Sequence, residues 1–465
     1  MTVGHFLGRN SGYAKRSLVL GLAPFISMAF FTGSALSRAE EIAVTDGKEN
    51  VLLTNTGCWS PDGNWLVYDT RSAADGGVFD GDRIERVHVP TGKVELLYRS
   101  QNGAKCGVVT HHPTKPLVAF ILGPEPLDDG FTYGPARRRG VVVDTTRPGI
   151  ALDLDARDLV APFTPGALRG GSHVHVWSPE GDWISYTYED HVLDLLDQAK
   201  QIGHQPNRRT IGISAPGRVI PRHAHPRNHE GSYFSALVVP LSARTEPNPG
   251  ELIKACEEGW IGTDGYLKPD GTRQKRALAF QGTVIGESGK PVVEIFVADL
   301  PDDLTVAAHA PLEGTATTMP GSPQGVIIRR LTQTENRPFP GIQGPRHWVR
   351  SSPDGSHIAY LAKDDKGITQ IYLVSPNGGS PTPLTHNDSP IRSCFTWSPD
   401  GRSIAHTTEQ GLCLTSVPAG RCTVLLKQEK DRPIRPEAVV FSPDGRSIAF
   451  MRNIHGKNRI FSYRI

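Results

Sequence analysis

Two histidines stand two residues apart in the stretch GSHVHVWSPEG (171–181), His173 and His175, just ahead of a Ser-Pro-Glu-Gly turn. Neutral imidazole is a frequent ligand for divalent metals and a frequent acid–base group, so the question is whether other donors reach the same point. The turn recurs along the chain. With the turn proline of each copy taken as zero, the positions six residues back are Asn55, Gly107, His173, His347, Ser393 and Glu437. The positions four back are Gly57, Val109, His175, Val349, Phe395 and Val439. The first set is polar or glycine throughout, and the second is mostly apolar. If the first set is gathered round one axis, two histidines, a glutamate and an asparagine could hold a divalent ion such as Mn, Zn or Ca. The competing reading is that a wet channel mouth favours polar side chains with no ion at all, and that a histidine in a strand is held by hydrogen bonds.

What could gather those positions is the repeat itself. CWSPDGNWLVYDT (58–70), VWSPEGDWISYTY (176–188), RSSPDGSHIAYLA (350–362), TWSPDGRSIAHTT (396–408) and VFSPDGRSIAFMR (440–452) are copies of one cassette, with weaker copies at 110–122 and 266–280. Proline presets φ, Ser and Asp bond nearby amides, and glycine takes the residue with φ > 0. A short β-branched and aromatic strand follows, then a second hairpin such as QIYLVSPNGGSPTPLTHN (370–387). Units of about four short strands repeating every ~40–50 residues are the signature of propeller blades. The expected fold is therefore all-β: one propeller over residues 41–465, with about seven four-stranded blades (six or eight being the alternatives). Blade starts fall near 58, 106, 172, 260, 346, 392 and 436. The final unit stops one strand short, and residues 41–57 are expected to supply the missing outer strand, which would remove two exposed edges. Residues 191–232 and 243–275 read as insertions over one face, and GELIKACEEGWIG (250–262) as a short helix-like piece blurring the fourth unit.

Composition limits the functional classes. The chain has 465 residues and a formal net charge of +2, with 50 basic and 48 acidic side chains, so nothing advertises nucleic acid. Lys15 and Arg16 precede the apolar run SLVLGLAPFISMAFFTGSA (17–35), and polar residues follow at once, which reads as a secretory signal over residues 1–39. The expected mature protein is periplasmic or secreted and has no stable membrane span. There is no G-x-S-x-G elbow and no phosphate-binding glycine loop. Other candidates rank below the ring. The loop histidines His223, His225 and His229 read as polar surface, RRR (137–139) as a solvated strand entry, and Glu189, Asp190 and His191 as groups without a fixed partner. Cys413 and Cys422 flank the turn PAG but do not fall opposite each other when that turn is centred, so no pairing is assigned.

The cassette WSPDG-x-x-IA[YF] resembles the propeller repeats of TolB and its relatives. The strings LLTNT, RIERV, GVVTHHP, RRRGVVV, LRGGSHVHVWSP, EEGW and PRHWVR resemble more closely the YidR-like bacterial proteins, and a more distant resemblance is to oligogalacturonate lyase. The TolB-like resemblance implies an exported propeller holding a protein or oligosaccharide ligand at the loop-rich mouth of its channel. The lyase resemblance implies a metal-dependent enzyme acting on oligouronides. Under it, His173, His175 and His347 are the metal ligands, Gln343 lies beside them with Asn55 and Glu437, and Arg169 or Arg346 serves as base or carboxylate clamp.

Overall fold

The computed structural model describes residues 40–465. The expected secretory segment lies outside them. The described residues form seven four-stranded antiparallel sheets and one small two-stranded hairpin, Tyr266–Leu267 with Arg273–Gln274. The blades, in chain order, span residues 51–99, 106–153, 170–237, 252–330, 350–383, 396–427 and 434–464. The seventh has three strands of its own, and Glu40–Ala43 completes it on the outside, pairing with Lys457–Arg464 from Glu40 opposite Arg464 to Ala43 opposite Phe461. Closure by the N-terminal strand thus matches the expectation, but the strand is shorter than 41–57. Val51–Leu52 instead opens the first blade, paired with Thr70 and Asp69. A buried ionic knot fastens the seam. Arg452, fully buried, gives its Nε hydrogen to one oxygen of Glu41, and Arg432 reaches the other oxygen at 3.1 Å.

Strand alternation builds the core. In the strand Trp65–Thr70, Leu66 and Tyr68 pack toward blade 7 with Ala449, Met451 and Ile460, while Val67 packs toward blade 2 with Val118 and Phe120. Successive side chains point to opposite faces, so every buried strand feeds two wedges between blades. The cassette turns are alike. Ser60, Ser352, Ser398 and Ser442 each donate to the Asp two residues on and accept the amide five residues on. The glycine after each Asp sits at φ between 70° and 74°. The tryptophan before the turn ties neighbouring blades. Nε1 of Trp59, Trp260 and Trp397 donates to the carbonyls of Val440, Val176 and Arg350, each at 3.1 Å and each on the preceding blade.

Three stretches depart from expectation. Residues 250–262 hold no helix; Leu252–Trp260 is the inner strand of blade 4. Residues 191–232 do contain a helix, His191–Gln198, but also the blade strand Thr210–Val219 and the first residues of Gly231–Leu237. The long excursion that the repeat did not announce is residues 300–326, between the strands Pro291–Asp299 and Ile327–Arg330. No helix of the described residues is long and apolar enough to cross a membrane.

Candidate functional site

The cassette turns lie at one end of the channel. The chain order of the strands therefore puts the starts of the inner strands, and the loops joining second to third strands, at the other end. There the axis opens into a cavity of about 310 Å³. Its walls include Asn55, Asp69, Arg71, Asp75, Arg346, Trp348 and Glu437, with Val108 and Val174 between them. Of the residues singled out from sequence, Asn55, Arg346 and Glu437 are brought together here. His173, His175, His347, Gln343 and Arg169 do not line it.

The reason is a bulge. The pairing of the inner strands slips between Gly107 and Thr110, between His173 and Val176, and between Cys256 and Gly259. The middle of each slip is a residue with positive φ: Val108 at 59°, Val174 at 55° and Glu257 at 53°. In blades 2 and 3 the bulge turns the residue five before the proline into the cavity and swings its neighbours away. A β-branched side chain at such a φ costs on the order of 1–3 kcal/mol and persists only where its surroundings impose it. In blade 5 the cavity residue is also five back, Trp348, whereas blades 1 and 7 keep the six-back residues Asn55 and Glu437.

The displaced histidines are each held by at least one structural contact. His347 makes a contact from Nδ1 to the Pro345 carbonyl at 2.9 Å, and its Nε2 accepts the Leu361 amide at 3.1 Å, so neither ring nitrogen is left for an ion. Burial lowers its pKa to about 4. His175 is wholly buried, 3.0 Å from the Ser172 hydroxyl, which in turn lies 3.3 Å from Asp155. Burial lowers His175 to about 3 and raises Asp155 to about 6. His173 takes a hydrogen bond from Arg138 at 2.8 Å, and burial, then Arg138, hold its pKa well below the usual imidazole value. Gln343 donates to the Pro340 carbonyl at 2.7 Å. Arg169, 1 % exposed, pairs with the buried Asp190 at 2.7 Å and gives its other hydrogens to the carbonyls of Thr315 and Thr318. It is a tie between blade 3 and the 300–326 excursion, with nothing left to act as base or clamp. Among the described residues no three His, Cys, Asp or Glu side chains converge as a metal site. Nε2 of His173 and Nδ1 of His175 are buried without a protein partner, but no third donor converges with them among the described residues.

The lesser candidates are also engaged. Asp190 caps the helix by accepting the Leu193 amide at 2.9 Å, and Glu189 pairs with Arg209. The 137–139 run is no solvated entry: Arg138 bonds Tyr133 and His173, and Arg139 pairs with Asp153 at 2.8 Å. His225 accepts the Arg227 amide at 3.1 Å, and burial lowers His229 to about 3.

Sequence reading missed the residues that shape the cavity most. Trp348 lies under Arg346, whose guanidinium carbon is 4.5 Å from the ring centre. Glu257 fixes that guanidinium at 2.7 Å; burial pushes the carboxyl up, but Arg346 and its other neighbours hold it below its ordinary value. Arg346 remains 66 % exposed, and the Trp348 indole N–H, though buried, has no protein acceptor among the described residues. Across the cavity Arg71 pairs with Asp69 at 2.8 Å and lies 4.8 Å from the Phe79 ring. Glu437 is held by Arg435 at 3.2 Å. Beneath the cavity the half-buried Arg350 reaches the Asn55 carbonyl at 3.3 Å and its side-chain oxygen, and desolvation lowers the guanidinium to about 10. Glu258 is fully buried, is 3.3 Å from the Thr187 hydroxyl, and is raised to about 7 by burial. The signal for Trp348 was present: it stands five before its turn proline, as do Val108 and Val174.

A family model described as "Protein of unknown function (DUF3748)" matches residues 105–229. "Uncharacterized protein YidR" of Escherichia coli (strain K12) is 43 % identical over 413 residues, which cover 88 % of this chain and 94 % of that protein. The chain belongs to the YidR family. The stretch matched by the family model carries, in this YidR-family protein, Arg138 with His173, the Asp155–Ser172–His175 chain and the Arg169–Asp190 pair. Among solved structures it is similar in fold to oligogalacturonate lyase in complex with manganese, with a TM-score of 0.56, 12 % identity and coverage of 93 % and 94 % of the two chains. It also resembles TolB from Acinetobacter baumannii, with a TM-score of 0.34, 13 % identity and coverage of 87 % and 81 %.

Proposed function

We propose that this YidR-family protein is an exported binding propeller that holds an acidic oligosaccharide in the axial cavity. The observation that carries the reading is the guanidinium of Arg346, laid on Trp348 and fixed by Glu257 yet two-thirds open to solvent at the cavity wall. A planar, pre-oriented guanidinium suits a sugar carboxylate. Asn55, Asp69, Asp75 and Glu437 offer acceptors for hydroxyl groups, and the unpartnered Trp348 N–H offers a donor. A recessed, mixed polar and aromatic cavity of this size suits a few sugar units better than a flat protein face. The apolar run at 17–35 behind Lys15 and Arg16 supports export. No cleavage step is part of this reading, because Arg169 and His347 are fully engaged.

Calorimetric titration of the purified protein with oligogalacturonides and with neutral oligosaccharides tests it. Saturable binding of the acidic series is expected, weakened at least about tenfold, or about 1.4 kcal/mol, in Arg346→Gln. Equal binding of the neutral series, or binding untouched by Arg346→Gln, overturns it. Absorbance from unsaturated uronates during the titration would replace binding with lysis.

A further inference from the structure

Blade 6 carries a second group of chemically able side chains, away from the axis. His406, Cys413 and Cys422 lie on three successive strands, Ser403–Thr408, Gly411–Ser416 and Cys422–Lys427. His406 is directly opposite Cys413. Cys413 is opposite Val424, and Thr415 is opposite Cys422. Cys413 and Cys422 are therefore diagonal neighbours on one face, not opposite partners, which is why centring the turn on PAG failed to pair them. The pairing slips between Leu412 and Cys413, next to the first thiol. That face also carries Ile404, which packs against Leu361, Ile371 and Leu373 of blade 5. Cys413 and His406 are fully buried in this wedge, while Cys422, on the outermost strand, is partly open to solvent.

The Cys413 thiol donates to the Gly411 carbonyl at 3.5 Å, on the face it shares with Cys422. The His406 Nε2 is 2.7 Å from the hydroxyl of Thr415, the residue directly opposite Cys422. Cys413 is further held 3.4 Å from the Thr408 hydroxyl. An accessible thiol backed by a buried second thiol and an imidazole is the arrangement of a nucleophilic cysteine with a resolving partner.

We propose that Cys422 and Cys413 form a dithiol–disulfide site, Cys422 attacking and Cys413 resolving, with a low-molecular-weight disulfide as oxidant. The Cys422 thiolate attacks one sulfur of the oxidant, forming a mixed disulfide and expelling one thiolate. The Cys413 sulfur then attacks Cys422, expels the second thiolate and gives up its proton to it. Two protein thiols are oxidised and one external disulfide is reduced to two thiols. The neighbouring Cys413 thiol, followed by His406, lowers the Cys422 thiol from its ordinary value and so favours the attacking form.

Exposure of the folded, full-length protein to glutathione disulfide, followed by intact-mass measurement and peptide mapping without reduction, tests this. A link joining the peptides of Cys413 and Cys422 is expected, with loss of one hydrogen from each. Cys413→Ala should accumulate a glutathione adduct on Cys422. Cys422→Ser should lose the adduct and the link, lowering the modification rate at least about tenfold. Absence of the link in the unaltered protein, or modification passing mainly to Cys256 or Cys413, overturns the proposal whether or not either variant folds.

Discussion

The two ends of the channel are built on opposite plans. At the turn end one plan recurs: Trp59, Trp260 and Trp397 make the same bond at the same 3.1 Å, and four Ser–Asp turns share one geometry. At the mouth an arginine–carboxylate pair recurs, but its two members come from different places in the blades. Blade 1 offers Arg71 with Asp69, blade 3 Arg209 with Glu189, blade 6 Arg392 with Glu409, and blade 7 Arg435 with Glu437; Arg346 with Glu257 spans blades 4 and 5. Repetition serves the scaffold, where each blade meets the same neighbour. Diversity serves the end that faces something other than another blade.

That contrast can be broken most forcefully at Arg169. Arg169→Ala leaves the buried Asp190 unpaired and frees the 300–326 excursion, so denaturant unfolding should show a loss of about 3–5 kcal/mol. A neutral result would mean that the mouth end does not share in the stability of the ring. Glu258, between the two ends, gives the next effect. Its folded pKa, near 7, lies above the ordinary 4.5, so the folded chain keeps a proton that the unfolded chain has released. Stability is full below about 4.5 and falls as pH rises toward 7, by at most about 3 kcal/mol. Glu258→Gln should flatten that fall, raising the calorimetric Tm at about pH 8 and leaving it unchanged near pH 4.5. The smallest effect sharpens the comparison. Trp59→Phe and Trp397→Phe should each cost about 1 kcal/mol for one lost hydrogen bond, by the same amount in both blades and without altering ligand binding. Unequal costs would show that the turn end is not the uniform girdle its sequence suggests.

The propeller was legible because each cassette states a turn and a strand in local terms: proline, glycine and alternating apolar residues suffice. Seven blades and the closing strand follow from counting them. The mouth was only half legible. Asn55 and Glu437 fall where the register expects, whereas Arg346 stands one residue before the expected His347, and the bulges at Val108, Val174 and Glu257 each insert a residue that no local pattern announces. A one-residue slip reverses which side chain faces the cavity, so His173 went to Arg138 and Val174 took its place. The inner strand of blade 4 was unreadable for a related reason. Its bulge spoils the alternation of LIKACEEGW, and Gly262 stands where the other blades have proline.

The seam at Glu40–Ala43 has a consequence for how the molecule must assemble. The first strand of the ring to leave the ribosome is the last to find its seat, since its partner ends at Arg464. Until residue 464 has been made, blade 7 has no outer strand and Arg452 has no Glu41 beside it. The ring is in effect circular, with its nick placed one strand into a blade instead of between blades. A circular permutant that moves Glu40–Ala43 behind Ile465 on a short linker would keep every pairing while letting blade 7 close on itself without waiting for the beginning of the chain.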